Sequence, residues 1–498
     1  MERIVGLYGG DPDNYTYPRY NSDFAVLRVY GEDGKPLKTK NFFKLNLNGP
    51  QMGEPLFSLG YPGATNRLRT VSQLLYNRDI VYRNNFFQFD ALLKIYDQLM
   101  NEYPDKADLY RGAQFGPANM AKRVGGFLTT LHDPYLVARK QAFEKEFKKK
   151  IFEDPVKKQK YGHLWDGINE CRSQLRIHAG ERAAFAQLNN SVYFAIAFNL
   201  VEASMQLKLP EDKRVEPLKA ANLTNTLNNL VPAITDSPLE KKKLAMIIDF
   251  IKMNLGNEHP LIKKYFALGS SLQTAEQLMK TSLVLNKEKM TSLLNTKPED
   301  IASLDDPFIK YYLETRESRL KYAAEVTEII NTETALADQL GLALFEIYGT
   351  SIPPDATSTF RISDGVIATY SYNGTTAPPY TTFYGLFDRY YSHLKKWPWS
   401  LPDRWINYDK SLNLAAQNNF IATLDIVGGS SGSPIINSKG EYVGIIHDYN
   451  IEGSSLDFIF TEKTRALGLS SQGIFEIIKS IVKADRIAEE VKAGKIIN

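Results

Sequence analysis

A run of small residues, GGSSGSP at 428–434, has the composition of a nucleophile turn. Ser431 has Gly429 two residues before it and Gly432 directly after it, and glycines let the backbone turn sharply. The hydroxyl of Ser431 can then stand clear of the chain, while the N–H groups of Gly429 and Ser431 form an oxyanion hole. The pattern predicts acyl-transfer chemistry at Ser431, and a plain Gly/Ser loop is the alternative.

A nucleophilic serine requires a general base and a carboxylate that orients this base. The carboxylate candidate is Asp23, which begins the apolar run DFAVLRVY at 23–30; a turn that starts a strand is the alternative. A serine turn ahead of a hairpin resembles the nucleophile region of chymotrypsin-like proteases. In that fold the histidine base precedes the orienting aspartate in the sequence, but no histidine precedes Asp23. His447 follows Ser431 by 16 residues and is expected to line a specificity pocket. The triad is therefore incomplete. The other histidines lie in predicted helices or in a loop: His132, His163, His178, His259 and His393.

The elements that position these residues follow a β–α–β–α order. Strands are predicted at 23–30 and 54–63, and alternating segments return after residue 357. The segment PIINSKGEYVGII, which follows the serine run, predicts a hairpin with its turn at Asn437–Gly440. The predicted β, helical, β and C-terminal helical regions cover 1–75, 76–348, 349–470 and 471–498.

The central region shows helical periodicity with start and stop signals. In DSPLEKKKLAMIIDFIKMNLG, Ser237 is the expected N-cap, Pro238 occupies the first helical position, and Gly256 ends the helix. Apolar residues between them recur at helical spacing. Several such segments without intervening strands predict a helical domain rather than a βαβ array.

Composition excludes several classes of function. The 498 residues include 60 basic and 57 acidic side chains, so no charge excess typical of a nucleic-acid binder is present. The single cysteine, Cys171, excludes an intramolecular disulfide. No apolar run is long enough to span a membrane, and the first residues do not resemble a signal peptide. Without a metal-ligand cluster or a phosphate-binding glycine loop, no cofactor is expected.

Five segments in one order resemble the bacterial dipeptidyl peptidases of the seven/eleven type. The similarity covers essentially the whole chain. It implies a chymotrypsin-like double β-barrel, its first barrel incomplete, with a large inserted α-helical domain and a C-terminal helix. The segments are GGDPDNYTYPRYNSDFAVLRVY (9–30), GYPGATNR (60–67), FGPANMAKR (115–123), DIVGGSSGSPIINSKGEYVGIIHDYN (425–450) and the C-terminal helix.

The resemblance implies roles for individual residues. The nucleophile is Ser431, with Gly429 in the oxyanion hole, and the triad carboxylate is Asp23. Residues expected to bind the substrate are Asn14, Tyr15, Asn119, Asp448 and Tyr449; two asparagines and an aspartate hold the substrate's free amino group. Each polar residue has a structural alternative: Asn14 as a turn residue, Asn119 as a helix N-cap, Asp448 as a hairpin end.

The implied activity is release of dipeptides from peptides with a free N-terminus. Tyr449 stands where the family sets preference for the penultimate side chain, so small or uncharged side chains are expected. The family's base lies in a Thr-Asn-His-His segment upstream of the aspartate, and the sequence lacks this segment, so the chain is expected to be a truncated, weakly active form. A non-catalytic peptide-binding protein and a trypsin-like endopeptidase are the alternatives. The family implies a periplasmic or secreted location and leaves a homodimer open.

Overall fold

A computed structural model describes residues 3–186, 190–234, 236–408 and 411–497. The chain divides into two compact units. The first, called the sheet unit, contains residues up to Arg69, Thr129–Leu136 and the chain from Thr350 onward. The second, the helical unit, contains Thr70–Leu128 and Val137–Gly349. In the described part of the chain, no helix is long and apolar enough to cross a membrane.

The sheet unit is built on one eight-stranded sheet and a small separate hairpin. The sheet order is β3-β2-β8-β9-β10-β7-β6, and β1 pairs in parallel with β9. The hairpin β4–β5 turns at Asn373 and Gly374, both with positive φ, as the Asn-Gly pair predicts. The strands are β1 Lys44–Leu45, β2 Leu56–Gly60, β3 Arg361–Gly365, β4 Ser371–Tyr372, β5 Thr375–Thr376, β6 Tyr380–Thr382, β7 Gln417–Ala422, β8 Pro434–Asn437, β9 Glu441–Tyr449 and β10 Ala466–Ser470.

The predicted serine hairpin is confirmed. Strands β8 and β9 pair antiparallel, and the Gly440 N–H donates to the carbonyl oxygen of Asn437 at 3.0 Å to close the turn. Strand β10, which the sequence patterns did not indicate, lies between β9 and β7 and is buried along its whole length. The hairpin therefore belongs to the interior of the sheet, which fixes the ends of β8 and β9. Ile435, Val443 and Ile446 of the hairpin belong to one core cluster with Leu56 and Phe420.

The strand predicted at 23–30 is wrong. These residues form no regular strand; only a bridge between Tyr30 and Pro36 closes a short turn. The side chain of Leu27 is 86% exposed, and Val26 and Val29 are also exposed. β-Branched residues favour a strand only when a neighbouring strand pairs with them, and this segment has no such pairing among the described residues. Asp23 is accordingly exposed and does not begin a strand.

The first predicted β-region contributes strands to the same sheet as the serine hairpin. Strand β2, predicted for the first β-region, pairs with β8 of the serine hairpin and with β3. Strand β1 pairs with β9 of the same hairpin. Residues near the N-terminus form two short helices, Arg3–Gly6 and Gly10–Asp13. Strands far apart in the chain thus share one sheet.

The C-terminal helix is interrupted. The region predicted as one helix consists of Ser471–Glu476, a π-helical turn at Ile477–Ile481, and Asp485–Ala493. Lys483 has a φ of 56°, which breaks the helical path between the last two elements. Two further helices of the sheet unit are Phe383–Ser392 and Asp403–Ile406.

Helices follow one another through the helical unit, in agreement with the helical periodicity of the sequence. The helix Ser237–Leu255 ends before Gly256, whose φ is 81°, as predicted; its N-cap, however, is Asp236 rather than Ser237. The Asp236 carboxylate accepts a hydrogen bond from the Leu239 N–H. The helices from residue 71 to 348 are Val71–Tyr76, Arg83–Glu102, Ala107–His132, Pro134–Phe152, Pro155–Tyr161, Leu164–Ile177, Ala179–Ala186, Val192–Leu207, Ala220–Asn229, Ser237–Leu255, Pro260–Tyr265, Ser271–Thr281, Lys287–Thr296 and Pro307–Tyr348.

A buried ion pair lies inside the helical unit. Arg172 Nε donates to Glu333 Oε1 at 2.7 Å, and Arg172 Nη2 lies 2.6 Å from Oε2 of the same carboxylate. The Gln73 amide also donates to Glu333 Oε1, at 2.6 Å. The Arg172 and Glu333 side chains are 8% and 4% exposed. A bidentate fork with an additional amide satisfies this carboxylate away from water.

Candidate active site

The serine turn connects the end of the β7 region to β8. Its first half closes through a hydrogen bond from the Ser430 N–H to the Val427 carbonyl oxygen at 3.0 Å. Its second half closes in the same way from the Ser433 N–H to the Ser430 carbonyl oxygen, also at 3.0 Å. Gly429 and Gly432 have φ angles of 104° and 88°, which side chains disfavour. The two glycines thus have the conformational role that their spacing predicts.

Only the middle serine of this turn faces solvent. Ser431 is exposed, whereas Ser430 and Ser433 are 4% and 6% exposed. The Ser431 hydroxyl donates to the main-chain oxygen of His447 at 3.2 Å. Within the described residues, the N–H groups of Gly429 and Ser431 have no hydrogen-bond acceptor. The turn therefore presents an exposed hydroxyl beside two unused donors, an arrangement that can stabilise a developing oxyanion.

The loop that follows β2 packs tightly against this turn. The Gly63 N–H donates to the Gly428 carbonyl oxygen at 2.8 Å. A Cβ atom at Gly63 would lie 2.5 Å from that oxygen, and one at Gly60 would collide with the Ser433 hydroxyl. Both glycines are required for this close approach. The segment GYPG at 60–63 therefore supports the serine turn directly.

The His447 imidazole does not contact the Ser431 hydroxyl. Its Nε2 atom lies 2.7 Å from Asn419 Oδ1, so the ring is held by strand β7. Burial, together with the positive charge of Arg19, lowers the pKa of His447 to about 3, so the ring is neutral at physiological pH. In the part of the chain described, no histidine ring hydrogen-bonds to Ser431. The general base that a serine nucleophile needs is not supplied by His447 in this geometry.

Asp23 lies in an irregular segment and not at the start of a strand. The residue is exposed, and its carboxylate lies close to Gly6. Partial burial of this carboxyl group raises the pKa of Asp23, and the charge of Arg19 opposes the rise. Asp23 and Ser431 make no mutual contact among the described residues. The role of Asp23 as an orienting carboxylate stays a prediction.

Four of the five residues predicted to bind substrate lie in the sheet unit, and contacts join three of them. The Tyr15 N–H donates to Asp448 Oδ2 at 3.1 Å, and the Tyr15 and Tyr449 rings meet edge to face with centroids 5.1 Å apart. Tyr15 has a φ of 61°. Asn14 directly precedes Tyr15, is 8% exposed and ends the helix Gly10–Asp13. Two segments far apart in sequence thus form one polar and aromatic cluster.

The fifth residue, Asn119, belongs to the helical unit. It lies inside the helix Ala107–His132, so the alternative that it caps a helix starting there is wrong. The helix begins at Ala107, before Asn119, and continues through Pro117.

Arg19 is the site residue that the sequence patterns did not indicate. Its Nη1 atom donates to the Asp13 carbonyl oxygen at 2.6 Å and to Asp448 Oδ2 at 3.0 Å. The Arg19 and Asp448 side chains are 10% and 11% exposed. A carboxylate that is largely removed from water requires a cationic partner, and this requirement was the signal that could have identified Arg19.

Burial raises the pKa of Asp448, and the neighbouring Arg19 guanidinium opposes this rise. The Tyr449 and Tyr15 N–H groups act in the same direction as Arg19, since they stabilise the ionised form. Asp448 is thus a buried carboxylate whose charge depends on a small set of identified donors. Among the described residues, no group of three His, Cys, Asp or Glu side chains is arranged to hold a metal ion.

Comparison with known proteins places this chain in a family. The profile of the Peptidase S46 family matches residues 2–493. An Asp/Glu-specific dipeptidyl-peptidase of Shewanella putrefaciens is 26% identical, over 98% of this chain and 72% of the relative. A dipeptidyl-peptidase 7 of Porphyromonas endodontalis is 24% identical, over 99% of this chain and 62% of the relative. The crystal structure of Porphyromonas endodontalis DPP11 with the dipeptide Arg-Glu has a TM-score of 0.77 and 19% identity, covering 99% of this chain and 73% of that chain. The fold agrees with that solved structure, and the match across nearly all residues shows that the chain belongs to the Peptidase S46 family.

Proposed function

We propose that this chain is a serine-type dipeptidyl peptidase that releases dipeptides from the free N-terminus of peptides. One contact supports the proposal above all. The Ser431 hydroxyl donates to the main-chain oxygen of His447, the residue directly before Asp448. Because consecutive Cα atoms are about 3.8 Å apart, the nucleophile and the carboxylate lie within a few residue lengths of each other. A substrate amine bound at Asp448 then brings a nearby peptide bond to Ser431.

The proposed chemistry is acyl transfer through Ser431. Its oxygen attacks the carbonyl carbon of the second substrate residue, and the resulting oxyanion accepts hydrogen bonds from the Gly429 and Ser431 N–H groups. The acyl-enzyme forms as the remaining peptide leaves with a proton, and water then releases the dipeptide. Asn14 and Asp448 are proposed to bind the substrate ammonium. A longer N-terminal overhang would move the substrate ammonium away from Asp448, and the loss of this interaction disfavours internal cleavage.

A histidine is proposed as the general base that acts on Ser431, as the resemblance implies, with Asp23 as its orienting carboxylate. Within the described chain, no histidine ring hydrogen-bonds to Ser431. The chymotrypsin-like double-barrel architecture and a periplasmic or secreted location are parts of the same proposal. Both derive from the resemblance rather than from the described strands.

The test is turnover of dipeptidyl-naphthylamides by the 498-residue chain and by a form extended with a family histidine segment. We expect little turnover by the 498-residue chain alone and clear turnover by the extended form. Ser431→Ala in the extended form should reduce the rate at least about a thousandfold. The matched control is Ser438→Ala, on the exposed turn of the same hairpin, which should retain the rate.

Two outcomes contradict the proposal. Full activity in Ser431→Ala would show that Ser431 is not the nucleophile. Cleavage only at internal bonds of a longer peptide would favour a trypsin-like endopeptidase. Fragment analysis by mass spectrometry separates dipeptide release from internal cleavage.

A second candidate is a non-catalytic peptide-binding protein that retains the amine-binding cluster. It shares with the first proposal the observation that no histidine ring of the described residues hydrogen-bonds to Ser431. This candidate predicts that the extended form binds peptides with a free amine but releases no dipeptide, and that Ser431→Ala changes neither result.

The residue after Asp448 suggests the side-chain preference of the proposed enzyme. Tyr449 is 6% exposed, and its ring is in contact with Tyr15 rather than open to a ligand. A buried ring without a positive charge offers no ion pair to an acidic side chain, so we propose a preference for small or uncharged penultimate residues. Faster turnover of Lys-Asp than of Lys-Ala naphthylamide would contradict this preference.

A further inference from the structure

Asp448 accepts three hydrogen bonds from the described residues, and they are divided unevenly between its two oxygens. Oδ2 accepts from Arg19 Nη1 at 3.0 Å and from the Tyr15 N–H at 3.1 Å. Within the same part of the chain, Oδ1 accepts only from the Tyr449 N–H, at 2.8 Å. A carboxylate offers about four lone-pair positions, two on each oxygen. Oδ2 is therefore saturated, and Oδ1 has one position left for a further donor.

Arg19 connects Asp448 to the segment around Asp13, which precedes Arg19 in the sequence. The same Nη1 atom that contacts Asp448 also donates to the Asp13 carbonyl oxygen at 2.6 Å. Asp13 is followed directly by Asn14 and Tyr15, and the Tyr15 N–H contacts the same oxygen of Asp448. The guanidinium thus joins the carboxylate to the segment that contains a second predicted amine-binding residue, Asn14.

We propose that Arg19 is a positioning residue of the amine-binding site, which holds Asp448 through Oδ2 and leaves Oδ1 for the substrate ammonium. The inference rests on the proposed function, since it assumes that Asp448 binds an amine. Arg19 itself does not contact the substrate. Its task is to fix the direction of Oδ1 and to favour the ionised state of a carboxylate whose pKa burial raises.

The charges around Arg19 are consistent with this task. Three carboxylates, those of Asp13, Asp23 and Asp448, have pKa values that burial raises and that Arg19 lowers. Arg19 therefore acts on three acidic groups, and of these Asp13 is also influenced by the Arg389 guanidinium.

The other groups around Asp448 add no nearby positive charge. His447 is neutral at physiological pH, and the residue opposite Asp448 on strand β10 is Leu467, which does not titrate. Tyr15 and Tyr449 contribute main-chain donors, while Arg389 and His393 act on Asp13. Loss of Arg19 should therefore raise the pKa of Asp448 and make amine binding weaker at low pH.

The experiment is calorimetric binding of Ala-Ala-Ala and of N-acetyl-Ala-Ala-Ala to the 498-residue chain, at pH 5.5 and pH 7. The peptide amine is largely protonated at both values, so changes report on the protein. We expect the free-amine peptide to bind to the unmodified chain at least tenfold more tightly at both pH values. In Arg19→Met this preference should fall below about twofold at pH 5.5 and partly return at pH 7. Arg19→Lys, which retains the charge, should retain most of the preference.

Arg28→Met is the matched control, because Arg28 pairs with Glu490 elsewhere in the sheet unit, and it should leave the preference unchanged. If Arg19→Met does not fold, Arg19→Gln replaces it, since Gln can donate a hydrogen bond without the charge; the same pH dependence is expected. An unmodified chain that does not distinguish the two peptides overturns the proposed amine site. A preference that survives unchanged in Arg19→Met or Arg19→Gln at both pH values overturns only the role of Arg19.

Discussion

Two buried arginine–carboxylate pairs, one in each unit, differ in how completely their polar atoms are satisfied. In the helical unit, Arg172 binds Glu333 through two nitrogens, and Gln73 adds a third donor. In the sheet unit, Arg19 contacts Asp448 through one nitrogen, and its buried Nε has no hydrogen-bond partner among the described residues. Both pairs are largely removed from water, so burial alone does not distinguish them.

This difference in hydrogen bonding indicates a different role for each ion pair. A bidentate pair with an additional amide leaves no room for a ligand and serves to connect helices. A pair joined by one nitrogen leaves donor and acceptor capacity unused, which costs folding free energy and is tolerated where a ligand can use it. If the two pairs have different roles, their contributions to the free energy of unfolding should differ as well.

The largest effect is expected for Arg172→Met. This change leaves the Glu333 carboxylate buried without its cation, which should lower the free energy of unfolding by about 3–5 kcal/mol. Urea unfolding followed by circular dichroism measures the loss. The double variant Arg172→Met with Glu333→Leu should recover most of it, because no charge remains buried. A double variant as unstable as the single one would contradict this account.

A smaller and pH-dependent loss is expected for Arg19→Met, about 1–3 kcal/mol near neutral pH. Asp448 has a raised pKa, so the folded state favours its protonated form, and stability is lost as pH rises through the range between its ordinary and its folded pKa. Removal of Arg19 raises this pKa further, so the loss should be greater at pH 8 than at pH 5. Unfolding curves at both values test the sign.

The matching control combines Arg19→Met with Asp448→Asn, which removes the titrating group and should remove most of the pH dependence. If Arg19→Met lowers the free energy of unfolding equally at pH 5 and pH 8, Arg19 acts on stability through packing alone.

The smallest effect is expected for Lys94→Ala. Lys94 pairs with Asp90 one helical turn away at 2.7 Å, but the lysine side chain is 69% exposed. Exposed pairs of this kind contribute about 0.3–0.5 kcal/mol. A loss above about 1 kcal/mol in the same urea assay would show that exposure is a poor guide to the energy of ion pairs in this protein.

Patterns that depend on local chemistry were predictable from the sequence. The turn at Asn437–Gly440 and the end of a helix at Gly256 follow from short-range backbone preferences, and both are present. The identity of the exposed serine also follows from its two neighbouring glycines, because these residues permit the turn that Ser431 occupies. In each case the determining atoms lie within a few residues of one another.

Features that depend on distant partners were not predictable in the same way. Residues 23–30 have the composition of a strand but no strand to pair with among the described residues, and β10 was not identified although it lies in the middle of the sheet. Arg19 contacts Asp448 across most of the length of the chain. Such pairings depend on tertiary contacts, which composition and periodicity do not encode.

The contact between Gly63 and Gly428 has an evolutionary consequence. A side chain at Gly63 would displace the carbonyl oxygen that precedes the oxyanion donors, so a change in the loop after β2 alters the serine turn without touching it in sequence. The two segments are therefore expected to be inherited as a matched pair. Chimeras that exchange the serine turn between relatives should exchange GYPG with it, and a mismatch is expected to disturb the Ser431 geometry before it disturbs the fold.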